Sequence, residues 1–235
     1  MNDQHIVSSF DRDLGELNTM IAKLGGLAEQ QLSAAIEAFE ARDAAPLQSI
    51  IDKDKELDDI EFQLNERAVE IIATRSPLAK DLRSIITAVK IASVLERVGD
   101  YAKNIAKRAR VIIDSETNGT REISIRRMAD TVLQMLNQVL DAYATGNATF
   151  AMEVWDRDHD VDQMHTALFN ELLEIIAAQR EEAVVSSHFL FVAKNLERIG
   201  DHTTNIAEQV YFLEHGEFPS DERPKADNTS LADTE

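Results

Sequence analysis

The sequence predicts an all-α protein of two tandem three-helix bundles, and three observations carry that prediction. Only 8 glycines and 4 prolines punctuate the 235 residues, and they gather at a few places. The long stretches between them are rich in Ala, Leu, Ile, Glu, Asp and Arg, which favour helix, and none shows the alternation of a half-buried strand. The third observation is an internal repeat that lays three consecutive helices of the first half on three of the second.

Taken in order, turn signals fall near Asp43-Ala-Ala-Pro46, Arg75-Ser-Pro77, Thr117-Asn-Gly-Thr120, Thr145-Gly-Asn147, Arg180-Glu-Glu182 and His215-Gly-Glu-Phe-Pro219. They leave six helical segments, over about 10–42, 44–74, 77–113, 122–145, 148–179 and 182–214. Ser76 is expected to cap the third helix, with Pro77 at its first position, where the missing N–H costs nothing. The first bundle spans residues 1–116 and the second 121–215, joined near Ser115 to Arg121. Helices of about 30 residues would make bundles roughly 45 Å long. Residues 216–235 hold Pro219 and Pro224 among many acids and few apolar side chains, and read as a disordered acidic tail.

The repeat is specific. Leu95-Glu-Arg-Val-Gly-Asp-Tyr-Ala-Lys-Asn-Ile-Ala106 aligns without gaps on Leu196-Glu-Arg-Ile-Gly-Asp-His-Thr-Thr-Asn-Ile-Ala207, identical at eight of twelve positions. Upstream, Ile51 to Asp58 matches Trp155 to Asp162, and Ala38 to Asp43 falls where Ala142 to Asn147 does.

Composition removes several function classes. With 24 basic and 43 acidic residues the net charge is −19, which repels nucleic acid and anionic lipid at long range. The absence of cysteine excludes disulfides, thiolate metal sites and a cysteine nucleophile. No apolar run approaches the roughly 18 residues of a membrane span, and the N-terminus lacks a basic-then-apolar signal pattern. The expected location is the cytoplasm, without insertion into a membrane.

The most informative anomaly lies on the third helix of each copy. Leu82, Ile85, Ile86, Val89 and Ser93 define one stripe, which continues by helical steps to Glu96, Asp100 and Asn104. Ile91, Leu95, Val98, Ala102 and Ile105 form a second stripe, so acids stand on what reads as a packing face. Glu197, Asp201 and Asn205 repeat the arrangement. The second helix of each copy adds another pair at i and i+4, Asp54 with Asp58 and Asp158 with Asp162. Such pairs repel one another, and more strongly when desolvated, so a basic partner, protonation or a metal must offset them. Four carboxylates suit a hard cation such as Mg²⁺, Mn²⁺, Ca²⁺ or iron. The plainer reading is a solvated face or a salt bridge, with Arg97 and Arg198 as the basic partners. Gly99 and Gly200, recurring inside helices where each costs about 0.5–1 kcal/mol, point to close approach at the same level.

Other motifs fall away. Asp156 to Asp162 alternates acids like a calcium loop, but the sixth position is Val161 and the twelfth Ala167. Asp162-x-x-His165 is similar to a di-iron carboxylate motif, yet its counterpart in the first half is Glu61. His202, in place of Tyr101, is expected to pack beside the motif or support it. Trp155, Met164 and the Phe189-Leu-Phe191 run are expected in the core or an interface.

The doubled Leu-Glu-Arg-Ile/Val-Gly-Asp-x-x-x-Asn-Ile-Ala motif, with Ser76-Pro-Leu-Ala-Lys-Asp-Leu-Arg83 before its first copy, resembles the PhoU family of bacterial phosphate-transport regulators, from about Phe10 to Phe212. The resemblance implies two three-helix bundles, a homodimer, and metal ions (Mg, Mn, Fe or Zn) held by Asp54, Asp58, Glu96 and Asp100 in one site. Asp158, Asp162, Glu197 and Asp201 would hold them in the other, with Asn104 and Asn205 supporting. It implies a non-enzymatic role: negative regulation of phosphate uptake and of the phosphate-starvation response, by coupling the ATPase of a phosphate ABC importer to a membrane sensor histidine kinase. The second half lacks an Asp-Leu-Arg equivalent before Lys194. Competing readings are a metal-dependent phosphohydrolase and a helical scaffold whose acids only make salt bridges.

Overall fold

The computed structural model of the protein describes residues 2–115 and 119–220, with side chains over 10–115 and 121–220. Among these residues there are six α-helices and no strand. They are α1 (Asn2–Glu40), α2 (Leu47–Arg75), α3 (Lys80–Ile113), α4 (Gly119–Thr145), α5 (Ala148–Ala178) and α6 (Ala183–His215), with one 3₁₀ turn over Arg180–Glu182 before α6.

Apolar periodicity decides how they pack. α1 and α2 lie against α3, and α4 and α5 lie against α6, which gives a three-helix group from each half. The groups join because α3 also packs along α6 and α1 along α4. Both seams run antiparallel. Tyr101 of α3 stacks on His202 of α6 with ring centroids 5.5 Å apart, while Arg108 lies over Phe191 at 4.4 Å. Asn18 and Glu29 of α1 hydrogen-bond Tyr143 and Asn137 of α4. One apolar core runs through both groups, and within it Phe39 of α1 meets Phe189 of α6 edge to face at 5.8 Å. Polar clasps hold the rims. Asp13, nearly buried, accepts from Arg67 at 2.7 Å and Arg75 at 2.9 Å, fixing α1 on α2. Arg121 does the same for α4 on α6 through Glu182 at 3.0 Å and Ser186 at 3.2 Å.

The two halves turn their first corner alike. After α1 the Asp43 amide bonds the Ala38 carbonyl at 3.0 Å, and after α4 the Asn147 amide bonds that of Ala142 at 2.9 Å. Each turn needs one residue in the left-handed region. Gly146 supplies it at φ 65° without a side-chain penalty, whereas the first half uses Arg42 at φ 51°. The arginine turns that conformation to use: its guanidinium bonds the carbonyls of Ile112 at 3.2 Å, Ile113 at 3.0 Å and Ser115, and reaches Glu122 at 3.2 Å. It thereby caps α3 and ties it to the start of α4.

Four expectations need correction. Ser76 does not open α3; it closes α2 in the left-handed region, its amide bonding Ile72 O, and Pro77 to Ala79 lie outside both helices. The proline ring disfavours helical geometry in the residue before it, so the chain breaks there before α3 begins at Lys80. α1 starts at Asn2 and α4 at Gly119, each earlier than the turn residues suggested. Of the first α3 stripe only Ile85 is buried, while Leu82 and Ile86 are exposed; the stripe lines an open edge, whereas Ile91, Leu95, Val98, Ala102 and Ile105 are fully buried. The acids therefore sit at a helix seam that water reaches. Finally, the tail does not begin loose at 216. Phe218 stacks on Phe212 at 4.6 Å and carries Lys90 over its ring, and residues 221–235 of the expected tail lie outside the described residues.

Candidate functional site

The glycine of each repeated motif sets the distance between the acid-bearing helices. A Cβ on Gly99 would meet Leu57 of α2 at 3.2 Å, and one on Gly200 would meet Val161 of α5 at 3.3 Å. Leu57 and Val161 are equivalent positions, each one residue before the second acid of its helix's pair, so both halves cross in the same register. The close approach expected from the sequence is what faces the two acid pairs of a half toward one another.

In the first half the four predicted acids share one electrostatic field. Glu96 has its pKa raised by partial burial and then by Asp100, Asp58, Glu61 and Asp54. Desolvation and the negative charge of Asp54, Asp100 and Asp59 raise that of Asp58, opposed by Lys103. Lys103 is the group the sequence reading missed. From α3 its ammonium bonds Asp54 of α2 and, at 2.6 Å, Asp100 of its own helix. Burial works against its charge, but the hydrogen bonds it donates to Asp100 and Asp54 hold its pKa above the ordinary lysine range. The available signal was spacing, since Lys103 stands three residues after Asp100 on the same stripe. Of Arg97 and Arg198, the expected basic partners, Arg198 lies over the Tyr101 ring at 5.9 Å, and the charge of Arg97 bears on His202.

The second half places the same acids deeper. Asp158, Asp162 and Glu197 are all buried, whereas of their counterparts only Asp54 is. Asp158 lies against Gly200, its Oδ1 3.0 Å from where a Cβ would stand. Lys194 bonds Glu197 at 2.8 Å, entering three residues before the acid pair instead of three after it. At the position equivalent to Lys103 stands Thr204, whose hydroxyl donates to the Asp201 carbonyl at 2.7 Å. His165 replaces Glu61 and is buried, its ring 6.2 Å from Phe169.

Beside this cluster a groove of about 380 Å³ opens on the α3–α6 seam, lined by Tyr101, Lys194, Glu197, Arg198, Asp201, His202 and Asn205. His202 has its pKa lowered by burial and then by Arg97, against the pull of Asp201. Its Nδ1 lies 3.3 Å from Asn205 Nδ2, so Asn205 supports the histidine; Asn104 is half-buried on the matching face of α3. As the side chains stand, no three His, Asp or Glu residues among those described converge on a metal-holding geometry. The donor chemistry fits a hard cation, and lysine supplies positive charge in both clusters. Trp155 and Phe189 are core residues, while Phe191 is exposed under Arg108.

Comparison with known proteins now bears on this arrangement. The PhoU domain family matches twice, over residues 21–109 and 125–210. A phosphate-specific transport system accessory protein PhoU homolog of Rhizobium meliloti is 42% identical over 230 residues, 98% of this chain and 97% of its own length. A homolog of the same description from Caulobacter vibrioides is 41% identical over 224 residues, 95% of this chain and 97% of that one. The crystal structure of PhoU from Pseudomonas aeruginosa superposes with a TM-score of 0.86 at 31% identity, covering 88% of this chain and all of the other (100%). That of the phosphate transport system regulatory protein PhoU from Streptococcus pneumoniae gives 0.83 at 28% identity, covering 89% and 99%. The chain belongs to the PhoU family.

Proposed function

From that membership we propose that this chain is a cytoplasmic accessory protein of phosphate import that restrains uptake and represses the phosphate-starvation response when phosphate is plentiful. It does so by contact: as a homodimer it couples the ATPase of the phosphate importer to a membrane-bound sensor histidine kinase. The observation that carries the reading is the pair of family matches, one falling in each three-helix group. Two features support it. No helix among the described residues is long and apolar enough to cross a membrane. The outer surface exposes Phe62, Val69 and Leu78, apolar side chains of the kind that partner proteins cover.

The role requires no catalysis. Asp54, Asp58, Glu96 and Asp100, and separately Asp158, Asp162, Glu197 and Asp201, are the residues that would hold a divalent or trivalent ion. When bound, such an ion supplies charge that offsets repulsion among the acids and joins α2 to α3, or α5 to α6. Asn205 and Asn104 would steady the same seams.

Deletion of the gene, followed by an alkaline phosphatase reporter assay in phosphate-rich medium, tests the reading. High reporter activity, returned to low by the wild-type gene, supports it. Activity that stays low in the deletion strain, in a host with no second copy, would overturn it.

A further inference from the structure

The equivalent registers of the two halves make one difference conspicuous. In the first half a lysine ammonium stands between an acid of α2 and an acid of α3, bonded to Asp54 and, at 2.6 Å, to Asp100. That is where a cation joining the two helices would sit. The second half has Thr204 at this position, a neutral side chain turned onto its own backbone. Lys194 meets Glu197 there from the opposite end of the pair and is 40% exposed, against 22% for Lys103.

We propose that Lys103 is the resident cation of the first acidic cluster, a built-in competitor that a divalent ion must displace before it can join α2 to α3. The inference rests on the metal reading above and refines it, since it makes the two clusters unequal. Two oxygens that a metal would need are already engaged by an ammonium. Loading the first cluster therefore means breaking two ion pairs and moving the Lys103 head into water, to which its four-carbon stem gives it access. Removing that charge should tighten divalent-ion binding at the first cluster by roughly tenfold or more, because the ion then reaches the acids without first displacing an ammonium paired with two of them.

The test uses the full chain, stripped with chelator and titrated with Mn²⁺ by calorimetry, alongside thermal melts with and without the ion. The variants are Lys103→Thr, the residue of the second half, and Lys103→Met, which keeps the stem. Both are expected to bind Mn²⁺ more tightly than wild type at a site abolished by Asp100→Asn, and to melt lower than wild type in chelator but recover with Mn²⁺. Lys103→Arg, which keeps the charge, should bind no more tightly than wild type. Unchanged or weaker binding in Lys103→Met would overturn the proposal, as would tightening in Lys103→Arg. If wild type binds Mn²⁺ at a site sensitive to Asp201→Asn while Lys103→Met gains nothing, the competitor role alone fails. If neither wild type nor Lys103→Met binds Mn²⁺, the metal reading fails and takes the competitor role with it.

Discussion

The two acidic clusters share a backbone plan and differ in everything that sets their charge. In both, a helical glycine lets the motif helix meet the acid-pair helix at the same residue, Leu57 or Val161. Yet the first cluster lies at the edge, with Glu61 among its acids and Lys103 across it, while the second is buried, with His165 in that place and Thr204 opposite. Register depends on side-chain volume at a few points of contact. Charge depends on residues that can change without moving a helix. Duplicated bundles therefore keep their geometry long after their electrostatics have parted.

The largest test of this contrast sits in the core. Phe189 occupies the position that Ala88 holds in the first half, and both are fully buried. Phe189→Ala makes the halves alike but leaves a void beside Phe39, so urea denaturation should show a loss of about 3–5 kcal/mol. A loss under about 1 kcal/mol would mean that the seam between halves is not a packed core.

A smaller effect is expected at the matched turns. Arg42→Gly relieves the left-handed backbone but removes the clasp on the last carbonyls of α3, and the clasp should win, with a net loss of about 1–2 kcal/mol. Gly146→Ala meets no steric neighbour, so its cost of about 1 kcal/mol is conformational alone. Thermal melts of the two variants would separate the contributions. A stabilised Arg42→Gly would show that the clasp contributes less than the strain.

Next come the crossing points. An added methyl at Gly200 must push against buried Asp158 at 3.0 Å, whereas at Gly99 it meets the flexible ends of Leu57 and Gln31 at 3.2 Å. Gly200→Ala should therefore destabilise by about 1 kcal/mol, while Gly99→Ala stays within about 0.5 kcal/mol of wild type because helix propensity compensates. Equal effects would break the distinction between a buried and an edge cluster.

The smallest effect is a titration. Glu96 has a raised pKa in the folded protein, so its ionised form is penalised there, and stability is lost as pH rises through the folded-state value. Glu96→Gln should accordingly stabilise the metal-free chain at pH 7 by about 0.5 kcal/mol or less, since water reaches the group. The gain should vanish below about pH 4, where the unfolded chain also holds its proton. A gain that persists at low pH would assign the effect to packing instead.

Helix number, the correspondence of the two halves and the helices that carry the acid pairs were legible in the sequence because each rests on periodicity or on a repeated motif. Gly99 and Gly200 announced the crossing points for the same reason. Lys103 was less visible, because Arg97 stands directly beside Glu96 in sequence whereas Lys103 lies one helical step beyond Asp100. Ser76 misled because a serine before proline suits either a helix start or a helix stop, and only tertiary placement selects between them. Burial was the hardest to read. Leu82 and Ile86 look like core by periodicity, but no helix among the described residues covers that edge of α3.

Tyr101 stacking on His202 has a meaning beyond contact, because these are equivalent residues of the two copies. In an assembly of identical subunits, a residue on the symmetry axis faces itself, and any mutation strikes both sides at once. Joining the copies in one chain removes that constraint. A tyrosine can face a histidine, and a substitution at one has no echo at the other. The chain is thus free to specialise one half for a task while the other keeps the original design.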